Sequence, residues 1–316
     1  MGLVPIRGAG LVPALLVPIQ IGSHMRIINK LDEMTETARG WLAGGSVGFV
    51  PLRNILHAGH LTLIQAARQD CQISVVSIVE DRLPFAPGKI STPLLPGASR
   101  RNVSQELQQL SNEGVDVVFV PDLKDLYPPQ FSTYITPTGP LVERLEGAHV
   151  PGYLCGVATI MTKLFQLVRP DIAYFGHKHA QEVALISRLV SDLNIDVTLR
   201  ILPTLRESNG IVTSNQNALL SPKELRAARV IYRALLLAKA LVENGERIPP
   251  VIEKAMADLI AKESFVKLEY AAVCDSNTFE EVPVIVPGTL FAIAAHIGPV
   301  RLIDNILWMS DGNWLT

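Results

Sequence analysis

Residues 46–60 read SVGFVPLRNILHAGH. The first six are a short apolar run of the kind that forms a buried strand, and 60–70 carry a helical period. A second apolar run at 73–79 completes a strand–helix–strand unit. The rhythm recurs outward from there. A helical pattern over 104–113 ends at Gly114 and gives way to a strand at 115–120. Helices at 156–168 and 180–193 then alternate with strands at 171–175 and 196–202. Right-handed crossovers between parallel strands put helices on both faces, so the sequence predicts an α/β fold with a doubly wound, Rossmann-like parallel sheet.

After Pro203 the rhythm changes. Long helices at 221–244 and 250–263 precede short strands at 266–273, 289–295 and 300–303, which predicts a smaller α+β C-terminal domain. The expected division is a leader over 1–24, a Rossmann-like domain over 25–204 and a C-terminal lid over 205–316. Pro84, Pro87, Pro93 and Pro96 predict a loop without regular structure over 83–97, because proline donates nothing to a ladder. Residues 2–22 are apolar with one charge, Arg7, but Pro5, Pro13 and Pro18 make them a poor membrane span. The GSHM at 22–25 and the repeated Leu-Val-Pro resemble the linker left by an expression vector, so fold reasoning starts at Met25.

Of the 316 residues 48% are hydrophobic and 18% charged, which excludes a disordered chain. A net charge of −2 without a dense Lys/Arg run disfavours a nucleic-acid partner. Cys71, Cys155 and Cys274 are odd in number and widely spaced, so neither a disulfide framework nor a zinc cluster is indicated; a reducing cytosol fits.

His57-Ala58-Gly59-His60 falls between a strand and its helix, where a helix N-terminus offers amides and a positive dipole to phosphate. Two imidazoles around a glycine can donate to triphosphate oxygens as pyrophosphate leaves. The plainer reading is a helix start whose histidines cap or face solvent, and zinc lacks a third ligand nearby. The pattern resembles the HxGH motif of the nucleotidyltransferase superfamily. Lys178, in the stretch YFGHKH at 174–179, projects toward the same crevice as a phosphate ligand, or stands as a solvated loop lysine. The stretch GIVTSNQN at 210–217 supplies hydroxyl and amide donors over a nucleotide, or caps the helix at 221. Cys155 with His177 and His179 reads as a packed thiol and exposed loop imidazoles rather than a metal set.

Together and in order, several stretches resemble pantothenate synthetase, also called pantoate–β-alanine ligase. They are 48–51 with 57–60, 114–127 (GVDVVFVPDLKDLY), 145–152 (LEGAHVPG), 163–178 (KLFQLVRPDIAYFGHK), 192–194, 203–221 and 301–305 (RLIDN). The resemblance implies a cytosolic, homodimeric enzyme that uses pantoate, β-alanine and ATP with Mg2+. Pantoate attacks the α-phosphorus to give pantoyl adenylate, and β-alanine displaces AMP. It also implies ATP contacts at His57, His60 and Lys178, a nucleotide lying beside Pro51, Gly59 and Gly176, and a closing segment at Ser214, Asn215 and Gln216. Glu106 corresponds most nearly to the acidic residue that holds magnesium.

Departures cluster at this site. The family's second serine and arginine in the closing segment are Asn215 and Gln216, exchanging a bidentate cation for an amide, a loss of about 2 kcal/mol of phosphate stabilisation. Its Gly-Glu-Lys-Asp pattern reads Gly176, His177, Lys178, His179. The acid pocket has Leu52, Arg53 and Asn54 where the family has threonine, methionine and glycine, and Cys155 where it has arginine. Family amides align with Asp81, Pro84 and Glu182. Carboxylates at Asp81 and Glu182 are expected to repel pantoate unless Arg53 or Arg82 compensates. The rival to an active ligase is a nucleotide-binding protein of the same fold with impaired or no turnover. A nucleotidyltransferase acting on another small molecule is the third reading.

Overall fold

The computed structural model describes residues 25–41, 44–53, 55–79, 84–86, 89–90 and 102–316. Its first part runs β1 (Arg26–Ile28), α1 (Leu31–Trp41), β2 (Val47–Leu52), α2 (Ala58–Asp70), β3 (Ile73–Ile78), β4 (Pro84–Ala86), β5 (Lys89–Ile90), α3 (Val103–Asn112) and β6 (Val117–Phe119). Three single-turn helices follow, α4 (Leu123–Leu126), α5 (Pro140–Glu143) and α6 (Glu146–His149), then α7 (Tyr153–Val168), β7 (Ile172–Gly176), α8 (Ala180–Asp192) and β8 (Thr198–Leu202). Six of these strands form a parallel sheet in the order β1-β6-β3-β2-β7-β8.

Alternation along each strand explains the layers. Phe49, Val75, Phe119 and Ala173 point into a core shared with α1, α7 and α8, while Val50, Val76, Val118 and Tyr174 point into one shared with α2 and α3. Both faces are covered, as a parallel sheet requires. Phe49 meets Phe165 of α7 edge to face at 6.5 Å.

The C-terminal part holds α9 (Pro222–Glu243), α10 (Pro249–Ile260), β9 (Val266–Asp275), β10 (Thr289–Ile297), β11 (Val300–Trp308) and β12 (Trp314–Leu315). Its strands form an antiparallel sheet in the order β12-β11-β10-β9. Ser221 and Glu224 cap α9 reciprocally, with Pro222 in its first turn. The core of α9 and α10 lies on this sheet, but Phe279, Leu290 and Ala292 join the cluster under the parallel sheet.

Four differences from the sequence reading have local causes. Short β1 and the amphipathic α1 escape a search for long apolar runs, although Met34, Ala38 and Trp41 give α1 a buried stripe. The three C-terminal strands extend to ten, nine and nine residues, because polar positions such as Asp275, His296, Asp304 and Asn305 interrupt the apolar run without ending the ladder. Within the proline-rich stretch, β4 pairs with β5 antiparallel; Pro84 opens its strand, where a missing N–H is tolerated. His177 is buried, not exposed. The leader over 1–24, with Asn54, Asp81 and Arg82, lies outside the described residues.

Phe49 is fully buried, so Phe49→Ala removes a ring that surrounding strands cannot collapse around. The expected loss is about 3–5 kcal/mol of unfolding free energy, read from urea titrations.

Candidate nucleotide site

The sheet order reverses between β2 and β7, since the chain winds from β2 to β3 on one side and reaches β7 on the other. Crevices for ligands open at the carboxyl ends of strands at such a switch point. The loop after β2 carries His57, and the turn after β7 carries Lys178.

His57 is the extended N-cap residue of α2, and its Nδ1 accepts from the Gly59 N–H at 3.1 Å. In return the His60 Nδ1 accepts from the His57 N–H at 3.3 Å, a reciprocal cap built from two imidazoles. The rings stack with centroids 3.8 Å apart. A ring nitrogen that accepts carries no proton, so each Nε2 carries it and each ring is a neutral donor. The capping and phosphate-donor readings of the sequence are therefore compatible: Nδ1 caps, and Nε2–H is the donor end. Gly59 matters for a related reason, since a Cβ there would meet His57 Cε1 at 2.9 Å. Burial, and then the nearby Lys178 charge, pushes the His57 imidazole down to about 4.

Lys178 sits in the 3-10 turn His177–His179 and donates from Nζ to Ser214 Oγ at 3.1 Å. Burial lowers its amine to about 8, against the pull of Asp304 and Glu182. Ser214 Oγ also accepts from the Gln216 N–H and starts the 3-10 turn Asn215–Leu219. Asn215 donates from Nδ2 to the Ile55 carbonyl, tying this segment to the histidine loop. A small hollow, open to solvent, lies against Lys178, Val212, Ser214, Tyr232 and Asp304. Gly176 closes β7 with open space at its Cα, and Pro51 lies half-buried near the end of β2.

Of the carboxylates expected in the acid pocket, Glu182 has Arg53 beside it, the compensation that the sequence left open. Glu182 is buried in an ion pair with Arg53, and its Oε1 accepts from the Tyr153 hydroxyl. His179 approaches the same oxygen at 3.3 Å. Burial pushes the Glu182 carboxyl up, yet the Arg53 guanidinium and these neighbours outweigh it and hold it below its ordinary value. Glu106, named for magnesium from the sequence, is 4% exposed, and its Oε1 accepts from the Leu56 N–H at 2.7 Å. Its visible work is holding the histidine loop. Among the described residues no three His, Cys, Asp or Glu side chains group as a metal cage. No helix among them is long and apolar enough to cross a membrane.

The model of one family, Pantoate-beta-alanine ligase, matches residues 26–307. The chain belongs to that family. It is 37% identical over 284 residues to the pantothenate synthetase of Caldicellulosiruptor bescii, covering 90% of this chain and 99% of the relative. Against that of Dehalococcoides mccartyi it is 40% identical over 262 residues, 83% and 96% of the two chains. The structure of pantothenate synthetase from Thermus thermophilus superposes with a TM-score of 0.80 at 33% identity, over 89% of this chain and 98% of that one. Pantoate-beta-alanine ligase from Francisella tularensis, complexed with beta-gamma ATP and beta-alanine, gives 0.71 at 27% identity, over 90% and 98%. This pantoate-beta-alanine ligase family member is thus an enzyme of that kind in both sequence and fold.

Sequence reasoning missed the polar residues behind the site. Arg206 makes two bonds to Asp304, at 2.7 and 2.9 Å, and stacks over Tyr232 at 3.8 Å. Asn305 donates to the carbonyls of His177 and Lys178. The stretch RLIDN was visible as part of the resemblance; a buried Asp-Asn pair within an apolar strand was the available signal.

Burial holds the His177 ring near 4 as well, opposed by Asn305. Both imidazoles have an ordinary value of 6.5, so the unfolded chain takes up their protons first. This stabilisation is complete above pH 6.5 and disappears progressively as pH falls toward 4. Urea midpoints are expected to drop between pH 7 and pH 5, and to drop less in His177→Asn.

Proposed function

We propose that this enzyme joins pantoate and β-alanine to give pantothenate through a pantoyl adenylate, releasing AMP and pyrophosphate. The observation that supports the reading is that, at one switch point, the Lys178 amine bonds to the Ser214 hydroxyl and acts electrostatically on the His57 imidazole, against which His60 is stacked. Attack of the pantoate carboxylate on the α-phosphorus moves negative charge onto the departing pyrophosphate. His57 and His60 donate to it, and the Lys178 ammonium neutralises it; none of the three needs to form a covalent bond. The amine of β-alanine then attacks the acyl carbon, and AMP leaves.

In this reading Pro51, Gly59 and Gly176 border the nucleotide, while Ser214, Asn215 and Gln216 close on its phosphates. Magnesium would supply charge neutralisation when bound with the nucleotide, and Glu106 is the residue assigned to hold it, although its Oε1 already accepts from the Leu56 N–H. Arg53, Asp81 and Glu182 belong to the acid pocket, with Arg53 and Glu182 presenting a nearly neutral pair to the anion. Residues 25–204 then form the ATP- and pantoate-binding domain and 205–316 its lid, in a cytosolic homodimer.

The second reading, a nucleotide-binding protein with little or no turnover, draws on the same pair. A guanidinium engaged with a buried carboxylate is less available to a substrate carboxylate. ATP–pyrophosphate exchange with and without pantoate separates the two. Pantoate-dependent exchange supports the ligase, ATP binding without exchange supports the inactive form, and exchange with another acid alone replaces pantoate as substrate.

Lys178→Met is expected to lower the exchange rate by about 10²–10³-fold, the range for removing one preorganised charge donor. The amine carries its charge below about 8, so kcat/KM for ATP in the parent chain falls as pH rises through that value. A flat alkaline limb counts against Lys178 as the phosphate cation.

A further inference from the structure

We propose that Asn305 is a positioning residue for Lys178, holding the lysine's backbone from the C-terminal sheet while Ser214 holds its amine. The inference rests on the reading of Lys178 as the phosphate cation. Asn305 lies in β11, is 4% exposed, and aims its amide at the turn after β7. Nδ2 donates to the Lys178 carbonyl at 2.9 Å and to the His177 carbonyl at 3.1 Å. An amide nitrogen has two hydrogens, and here each has one carbonyl. Both carbonyls belong to the short 3-10 turn that leads into α8.

The other end of the lysine is held through the same strand. Asp304, next to Asn305, accepts from the Asn305 N–H at 2.8 Å and pairs in two bonds with Arg206. Arg206 bridges to Val212 across a tight hairpin, and the Thr213 N–H donates to the Leu205 carbonyl at 2.9 Å. The next residue is Ser214, which receives the Lys178 amine. The contacts therefore close into a ring: Lys178 amine, Ser214, hairpin, Arg206, Asp304, Asn305, Lys178 carbonyl. A catalytic cation displaced by about 1 Å loses up to roughly 10²-fold in rate, so a side chain that fixes both carbonyls of its turn acts on chemistry without touching substrate.

The test uses the full chain with Asn305→Leu, which keeps the bulk and removes both donors, and Asn305→Ser, which retains one donor. Turnover is read as pantoate-dependent pyrophosphate exchange. Lys178 is followed directly by NMR in protein carrying 13C at lysine Cε, its signal assigned by its loss in Lys178→Met. Asn305→Leu is expected to lower kcat by roughly tenfold or more while KM for ATP stays within about threefold. The Lys178 titration midpoint moves from about 8 toward its ordinary 10.5 as the amine leaves its buried seat. Asn305→Ser falls between. Adding Asn305→Leu to Lys178→Met slows turnover no further, because the two act in series.

An unchanged Lys178 midpoint in Asn305→Ser and Asn305→Leu overturns the proposal, as does an additive loss in the double variant. If Asn305→Leu does not fold, Asn305→Ser alone decides by its midpoint. Should Lys178→Met leave turnover unchanged, the phosphate reading of Lys178 fails, while the NMR midpoint still decides what Asn305 does.

Discussion

Parallel pairing of β2 with β7, with Gly48 opposite Ile172 and Phe49 opposite Ala173, sets the distance between the two loops that carry the site. Each strand ends at the same edge of the sheet, so the residue types that follow them are forced into one crevice whatever their separation in sequence. That is how the charge of Lys178, 121 positions further on, comes to act on the His57 ring. Asp171 reinforces the register by accepting from the Val47 N–H at 2.7 Å. A slip of one residue here would exchange the faces that Phe49 and Val50 occupy and shift the two loops relative to each other.

Within the crevice, burial decides which groups are charged. It keeps the His57 ring neutral and lowers the Lys178 amine. Arrival of a polyphosphate would favour the protonated amine, so ligand charge and site charge are complementary only when both are present. The Arg53–Glu182 pair shows the opposite arrangement, in which the protein satisfies its own buried charges. The two arrangements differ in kind: burial chiefly sets the charge at His57 and Lys178, whereas Arg53 and Glu182 neutralise each other.

Much of this was legible in the sequence because it follows from period and position. Apolar runs of six residues separated by helical periods gave the sheet, and a His-x-Gly-His at a strand–helix junction marks a switch-point loop. What was not legible depended on long-range polar pairing. Glu106 looks like any surface glutamate in SQELQQLSNE, and only the fold brings its carboxylate to the Leu56 amide fifty positions away. Glu182 and Arg53 each read as a charge facing substrate, since a sequence shows the two ions without their distance. Helix α1 was missed because its apolar stripe is narrow, three buried residues in eleven.

Contacts between the parallel sheet and the C-terminal sheet divide by chemistry. Phe279, Leu290 and Ala292 supply apolar area, which attracts without specifying register. Direction comes from polar ties: Arg301 of β11 makes paired bonds to Glu146 of α6, at 2.8 and 2.6 Å, and Tyr270 of β9 donates to the same carboxylate at 2.8 Å. Asn305, four residues along the strand from Arg301, reaches the Lys178 turn. One strand therefore fixes both the seating of the C-terminal sheet and the backbone beneath the site's cation. Hydrogen bonds lose their value within fractions of an ångström, whereas apolar contacts tolerate sliding. The placement of Lys178 is accordingly as precise as the polar ties of β11, and the apolar interface sets how firmly that strand is pressed into place.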